Sequence, residues 1–221
     1  MLKRGDANHS VDMTDAEPPR DPALRRPLER LAARDPDLAA AFAACGLPPV
    51  QRQARGFAGV LDTVLAQQVS AGATRAIRRR LHDAVGELTP RAFLALDDAD
   101  LRAIGLSRQK VRYGRGIAEA TLSGELDFEA IAGLGDVDAK AALCRIKGIG
   151  PWTAELYLLF ALGRPDIWPA ADLAVQEALK RLKGLPTRPN TRRMRELGEP
   201  WRPYRSAAAR FLWHYYRHPG M

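Results

Sequence analysis

Residues 143–160 read LCRIKGIGPWTAELYLLF, and this stretch decides the fold. Gly148 and Gly150 sit one residue apart, and Pro151 follows at once. Glycine adopts positive φ without a steric penalty and has no side chain to block a close approach. Proline opens a helix well, because its missing N–H is not needed there. The text therefore predicts a hairpin over about 143–153, in which a tight turn joins two helices. Such a turn can point backbone N–H groups at a phosphate, helped by the positive end of the second helix. The same residues also fit a plain C-cap glycine followed by a proline start. The turn alone does not separate these readings.

Working outward, the periodicity is helical almost throughout. Trp152–Leu162 is apolar nearly all round, as expected of a central buried helix. Upstream, Phe57, Val60, Leu61, Val64 and Leu65 recur at three- and four-residue steps and paint one helix face. Further helices are predicted over 73–85, near 90–96 and 98–104, over 109–122, and in two short pieces between 127 and 145. Downstream, 172–183 reads as another helix. A last one starts at Pro203, with Tyr204, Ala207, Ala208, Phe211, Leu212 and Tyr215 on one stripe. No alternating strand pattern of useful length appears, so the fold class is all-α. Residues 1–30 mix Asp, Glu, Pro and Arg with few large apolar side chains. They read as a flexible leader, and 31–221 as one domain.

Composition narrows the function. The chain has 221 residues and a formal net charge of +8, which favours a polyanionic partner, although a genome rich in Arg and Ala would give the same bias. Only Cys45 and Cys144 are present, too few for a four-cysteine iron–sulfur cluster or a disulfide framework. No apolar run is long enough to span a bilayer, and no apolar stretch follows Lys3 and Arg4, so neither membrane nor export signal is expected. A cytoplasmic protein, nucleoid-associated when it acts on DNA, fits these features.

The hairpin, together with DIWPAADLAVQEAL at 166–179, resembles the helix–hairpin–helix base-excision DNA glycosylases of the DNA-3-methyladenine glycosylase II type. LAQQVSAGAT at 65–74 is similar to that family's minor-groove loop, and WRPYRSAAARFLW at 201–213 to its terminal helix. The resemblance covers roughly 35–216 and implies two helical lobes with an active-site cleft between them. It implies hydrolysis of the N-glycosidic bond of alkylated bases, such as 3-methyladenine, in double-stranded DNA, by a monomer. The family's essential carboxylate falls on Asp172. Breaking that bond builds positive charge on the sugar, so a fixed anion near C1′ is what the chemistry needs. An Asp at a helix N-cap can also be only a cap.

Trp152 stands where strand-cutting relatives of the family carry a Lys that forms a Schiff base. An indole cannot attack the sugar, so the resemblance implies a monofunctional enzyme. The ring suits stacking on a cationic base, a contact worth about 0.5–2 kcal/mol, though core packing would also explain it. Leu156 falls where some members place a pocket Tyr, and Tyr157 is adjacent; both are expected at the base pocket. Lys147, Gly148, Ile149, Gly150 and Thr153 are expected to face DNA. Gln68, or its neighbour Gln67, is the expected wedge that fills the stack once the base is extruded. No cofactor and no metal are required, although a monovalent cation could bridge the hairpin carbonyls to phosphate. The alternatives are a bifunctional glycosylase/lyase and a non-catalytic helix–hairpin–helix module that only grips DNA.

Overall fold

The computed structural model describes residues 19–218. In chain order the helices are α1 (Arg25–Ala32), α2 (Pro36–Cys45), α3 (Gly56–Ala66), α4 (Ala71–Val85), α5 (Pro90–Ala95), α6 (Asp98–Ile104) and α7 (Arg108–Ser123). They continue as α8 (Phe128–Gly133), α9 (Asp136–Cys144), α10 (Pro151–Leu156), α11 (Leu173–Leu182), α12 (Thr191–Gly198) and α13 (Arg205–Tyr216). Among the described residues there is no strand, only an isolated bridge between Arg20 and Pro49. No helix among them is long and apolar enough to cross a membrane.

Polar residues set many of the helix starts. Ser70, Thr89, Ser107, Asp127, Asp172 and Asn190 each accept a backbone N–H from the first turn of the helix that follows. Each cap is worth about 1 kcal/mol. Asp97 and Asp100 form a reciprocal capping box on α6.

The helices pack in two groups. α1, α2, α11 and α13 contact one another, while α3–α7 and α8–α10 form a second set. The apolar face of α3 is the seam of the second group. Val60, Leu61, Val64 and Leu65 are fully buried, and Phe57 meets Phe93 edge-on with centroids 5.9 Å apart. Gly114 lets α7 approach α5, because a Cβ there would lie 2.6 Å from the Phe93 ring.

Several boundaries differ from the sequence reading. Residues 22–32 are helical and packed, so the leader does not reach residue 30. Leu24, Leu28 and Leu31 bury one stripe of this segment, and Asp21 pairs with Arg210 at 2.7 Å. Residues 1–18 of the expected leader lie outside the described residues. The last helix opens at Arg205 and not at Pro203, because Tyr204 is non-helical (φ −113°, ψ 24°) and donates its N–H to Trp201 O across a turn. The helix expected over 152–162 changes character at Tyr157, where a π-helical turn spans Tyr157–Ala161. Such turns recur beside functional sites.

Candidate active site

The hairpin follows α9. Ile146 and Ile149 are 6% and 2% exposed and anchor the turn from within. Gly148 has φ +102°, and a Cβ on it would sit 2.6 Å from Cγ of Tyr113, so both its backbone and its neighbour demand glycine. Gly150 caps α10 in an extended conformation, and a Cβ there would meet nothing within 4 Å. The N–H groups of Lys147, Gly148 and Gly150 have no hydrogen-bond partner among the described residues. With the exposed Lys147 beside them, they form a surface suited to an anion. Among the described residues no group of His, Cys, Asp and Glu could hold a metal. Of the turn carbonyls that could meet a monovalent cation, that of Gly148 already accepts the Gln67 amide at 3.4 Å.

Asp172 is held from three directions. Its Oδ1 accepts the Val175 N–H at 2.9 Å, which caps α11. The Trp213 indole N–H donates to the same oxygen at 3.1 Å, and the Trp152 indole N–H donates to Oδ2 at 2.8 Å. The carboxylate is 8% exposed. These three donors take the place of the water that burial removes from the carboxylate. Trp213 is the functional candidate the sequence reading missed. It was legible only as part of the terminal helix, since nothing local brings residue 213 to residue 172. Its ring lies against Phe160, centroids 5.4 Å apart and 32° between planes.

A cleft of about 480 Å³ opens beside these residues, lined by Gln67, Gln68, Pro151, Trp152, Asp172 and Leu173, among others. Leu173 is 62% exposed, an uncovered apolar side chain next to the carboxylate. Glu155, a second carboxylate near the cleft, pairs with Lys140. Burial pushes its carboxyl up, Lys140 and Arg195 oppose that, and the charge of Asp172 adds to it.

The structure separates the other expected site residues. Gln67 is half-buried and tied inward, its amide donating to Thr153 Oγ1 at 2.8 Å. Gln68 is exposed at the tip with φ +55°, the only non-glycine residue among those described with positive φ. Thr153 is 1% exposed, so its hydroxyl serves Gln67 and not a ligand in solvent. Ile149 is likewise an internal anchor whose side chain does not face outward. Leu156 lines a neighbouring cavity of about 460 Å³ with Gln53 and Phe160, and Ala66 borders both it and the cleft. Tyr157 does not line either. It is fully buried, accepts the Gly56 N–H at 2.9 Å and packs on Phe128, because one step beyond Leu156 the helix face turns into the core.

Residues 61–203 match the family model described as the HhH-GPD superfamily base excision DNA repair protein. DNA-3-methyladenine glycosylase 1 of Schizosaccharomyces pombe is 35% identical over 158 residues, covering 70% of this chain and 69% of that protein. The putative DNA-3-methyladenine glycosylase YfjP of Bacillus subtilis is 31% identical over 162 residues, covering 70% of this chain. The chain spans only 56% of the length of that relative. Among solved structures, the S. pombe 3-methyladenine DNA glycosylase Mag1 in complex with abasic DNA superposes with a TM-score of 0.80 at 30% identity. That match covers 85% of this chain and 95% of the other. An 8-oxoguanine glycosylase/lyase of Clostridium acetobutylicum shares the fold, with a TM-score of 0.75 at 18% identity.

Proposed function

This chain belongs to the HhH-GPD superfamily of base excision DNA repair proteins, and from that premise we propose that it is a monofunctional DNA glycosylase for alkylated bases. The observation that carries the reading is the buried Asp172 carboxylate held by the indoles of Trp152 and Trp213. Asp172 and Trp152 line a cleft that a nucleotide can enter, and no amine stands at Trp152 to form a Schiff base. The C1′–N bond breaks with its electron pair leaving on the base. A cationic N-alkylpurine departs neutral and needs no acid. Positive charge develops on the sugar, and the fixed anion of Asp172 stabilises it. Water then adds its oxygen to C1′ and gives up a proton to solvent, leaving an abasic site.

The unpartnered amides of the hairpin and Lys147 take phosphates of duplex DNA, which fixes register without reading sequence. Gln68 enters the stack as the base leaves it, and Gln67 braces the loop from behind. Trp152 borders the entry, and Leu156 with Phe160 offers apolar surface beyond Ala66. The protein acts as a monomer on damaged DNA in the cytoplasm, as one domain whose two helix groups flank the cleft.

The test is incubation with duplex carrying 3-methyladenine or hypoxanthine, with and without alkali. Free base with strand scission only after alkali is the expected result. Scission without alkali, with a borohydride-trapped adduct, means a lyase; no release from any substrate means a binding module.

A further inference from the structure

Leu173 is exposed beside a buried carboxylate, and folding does not ask for an apolar side chain there. It opens α11 directly after Asp172, where the positive end of a helix favours an acidic residue. It takes no part in the apolar core. Six large apolar side chains are exposed among the described residues, and of these Leu173 alone lines the cleft of Trp152 and Asp172. Ala171, also exposed, precedes the carboxylate as Leu173 follows it, so Asp172 is recessed between two apolar side chains. We propose that Leu173 packs on the C2′ side of the extruded sugar and selects deoxyribose against ribose. The inference rests on the glycosylase reading, which places C1′ at Asp172, and extends it to the sugar.

Stereochemistry decides which side of the sugar meets this rim. The base fills one face of C1′ until the bond breaks, so an anion close to C1′ from the outset lies on the opposite face. In a ribonucleotide the 2′-hydroxyl projects from that same opposite face. In the arabino epimer it projects on the face of the base. C2′ is one bond from C1′, as Leu173 is one residue from Asp172, so a ribose hydroxyl is brought against the leucine.

That hydroxyl finds no replacement for the water it loses. Asp172 Oδ1 already accepts the N–H groups of Val175 and Trp213, and Oδ2 accepts the Trp152 indole. A carboxylate has about four acceptor sites, and the one left on Oδ2 is needed by the charge developing at C1′. Of the other polar side chains on the cleft, Gln67 and Thr153 are bonded to each other, and Gln68 is committed to the base stack. Ala171, Leu173 and Ala174 offer no polar side-chain atom. A hydroxyl pressed against them without a partner weakens binding, whereas a hydrogen in its place does not.

Excision rates alone would not isolate this contact, because a 2′-hydroxyl slows glycosidic cleavage by its own inductive pull. The experiment therefore measures binding to three duplexes that carry a sugar without a base. One holds the tetrahydrofuran abasic analogue, and the others hold the same ring with a C2′ hydroxyl in the ribo or the arabino configuration. The wild type should bind the ribo duplex about tenfold more weakly than the tetrahydrofuran duplex. The arabino duplex should bind within about twofold of the tetrahydrofuran one. Leu173→Ala lets water reach the hydroxyl and should compress the ribo penalty to about twofold. Leu173→Met restores apolar bulk and should keep the penalty near tenfold. Both variants should melt near the wild-type temperature, since the side chain lies outside the core. Equal wild-type affinity for all three duplexes, an arabino penalty as large as the ribo one, or a ribo penalty unchanged in Leu173→Ala overturns the proposal. Excision from alkylated DNA is measured alongside. A ribo penalty without excision sinks the glycosylase reading and leaves the sugar contact standing; excision without the penalty does the reverse.

Discussion

The indole N–H of Trp213 reaches Asp172 Oδ1 across 3.1 Å, joining the last helix to the N-cap of α11. Because Trp152 holds the other oxygen at 2.8 Å, the carboxylate plane is set by two rings from different helices. Each ring restricts where the anion can point, and the geometry survives only if both donors remain.

Trp213→Phe removes the donor and keeps a ring against Phe160. Base excision should fall by roughly 10- to 100-fold, the scale of a lost hydrogen bond to a charged group, while affinity for abasic duplex stays within about twofold. Asp172→Asn should cost more, at least a few hundredfold, in line with about 3–4 kcal/mol for a lost electrostatic stabiliser. Its amide can also meet one indole donor-to-donor, so the melting temperature should drop in the Asn variant. Single-turnover excision and thermal unfolding of both variants check this, and unchanged excision in Asp172→Asn would remove Asp172 from the mechanism.

The two hairpin glycines should fail in different ways. Gly148→Ala places a Cβ 2.6 Å from Tyr113 at φ +102°. It should destabilise the fold by about 2–4 kcal/mol. Gly150→Asp meets open space within the protein, so its melting temperature should stay near wild type. Its added carboxylate would face the phosphates, weakening binding to every duplex about equally, since phosphate contacts carry no base information. Unfolding curves and binding to two unrelated duplexes separate the variants. A Gly150→Asp protein that binds normally would remove the hairpin from the interface.

What could be read in the sequence follows from the range of the physics. The all-α class was legible because apolar spacing is a local signal, as in Phe57–Leu65, and Asp172 could be placed as an N-cap for the same reason. α1 was hidden because Leu24, Leu28 and Leu31 are sparse among charges, and only packing against α2 and α13 reveals their stripe. Tyr157 was misassigned because the step from Leu156 into the core depends on where the π turn starts. The Trp213 contact spans 41 residues, and no periodicity encodes such a distance. The sequence favoured Gln68 as the wedge without separating it from Gln67; the inward bond to Thr153 and the left-handed backbone distinguish them.

Acid should loosen the α1–α2 region through Asp35. Burial alone would push this carboxyl up, but hydrogen bonds from Lys183, the Leu38 N–H and Trp201 prevail and hold it below the usual 3.8. A carboxyl lowered on folding contributes stability that is present above its unfolded pKa and lost as pH falls through the folded one. The loss from this group should therefore begin near pH 4 and continue below it. Asp35→Ala leaves the Trp201 indole and the Leu38 N–H without their acceptor and Lys183 with Asp37 alone, and should cost about 2–4 kcal/mol at pH 7. Urea unfolding from pH 3 to 7 should show the gap between wild type and variant closing towards acid. A gap that widens there would give the pair the wrong sign.

The wedge can be tested apart from the fold because Gln68 carries its own backbone strain. A non-glycine residue at φ +55° costs about 1 kcal/mol or more, so Gln68→Gly should raise the melting temperature. Gln68→Ala should leave it nearly unchanged. Both remove the amide that would fill the space of an extruded base, and extrusion costs a few kcal/mol, least when the base is unpaired. Single-turnover excision of one lesion should therefore slow by about tenfold or more in duplex and stay near wild type in single strand. Gln67→Ala offers the contrast. It breaks the bond to Thr153 behind the hairpin, so it should slow both substrates together. A stabilised Gln68→Gly protein with undiminished duplex excision would show that the strain serves some purpose other than filling the stack. A loss limited to duplex would tie the left-handed tip to base extrusion.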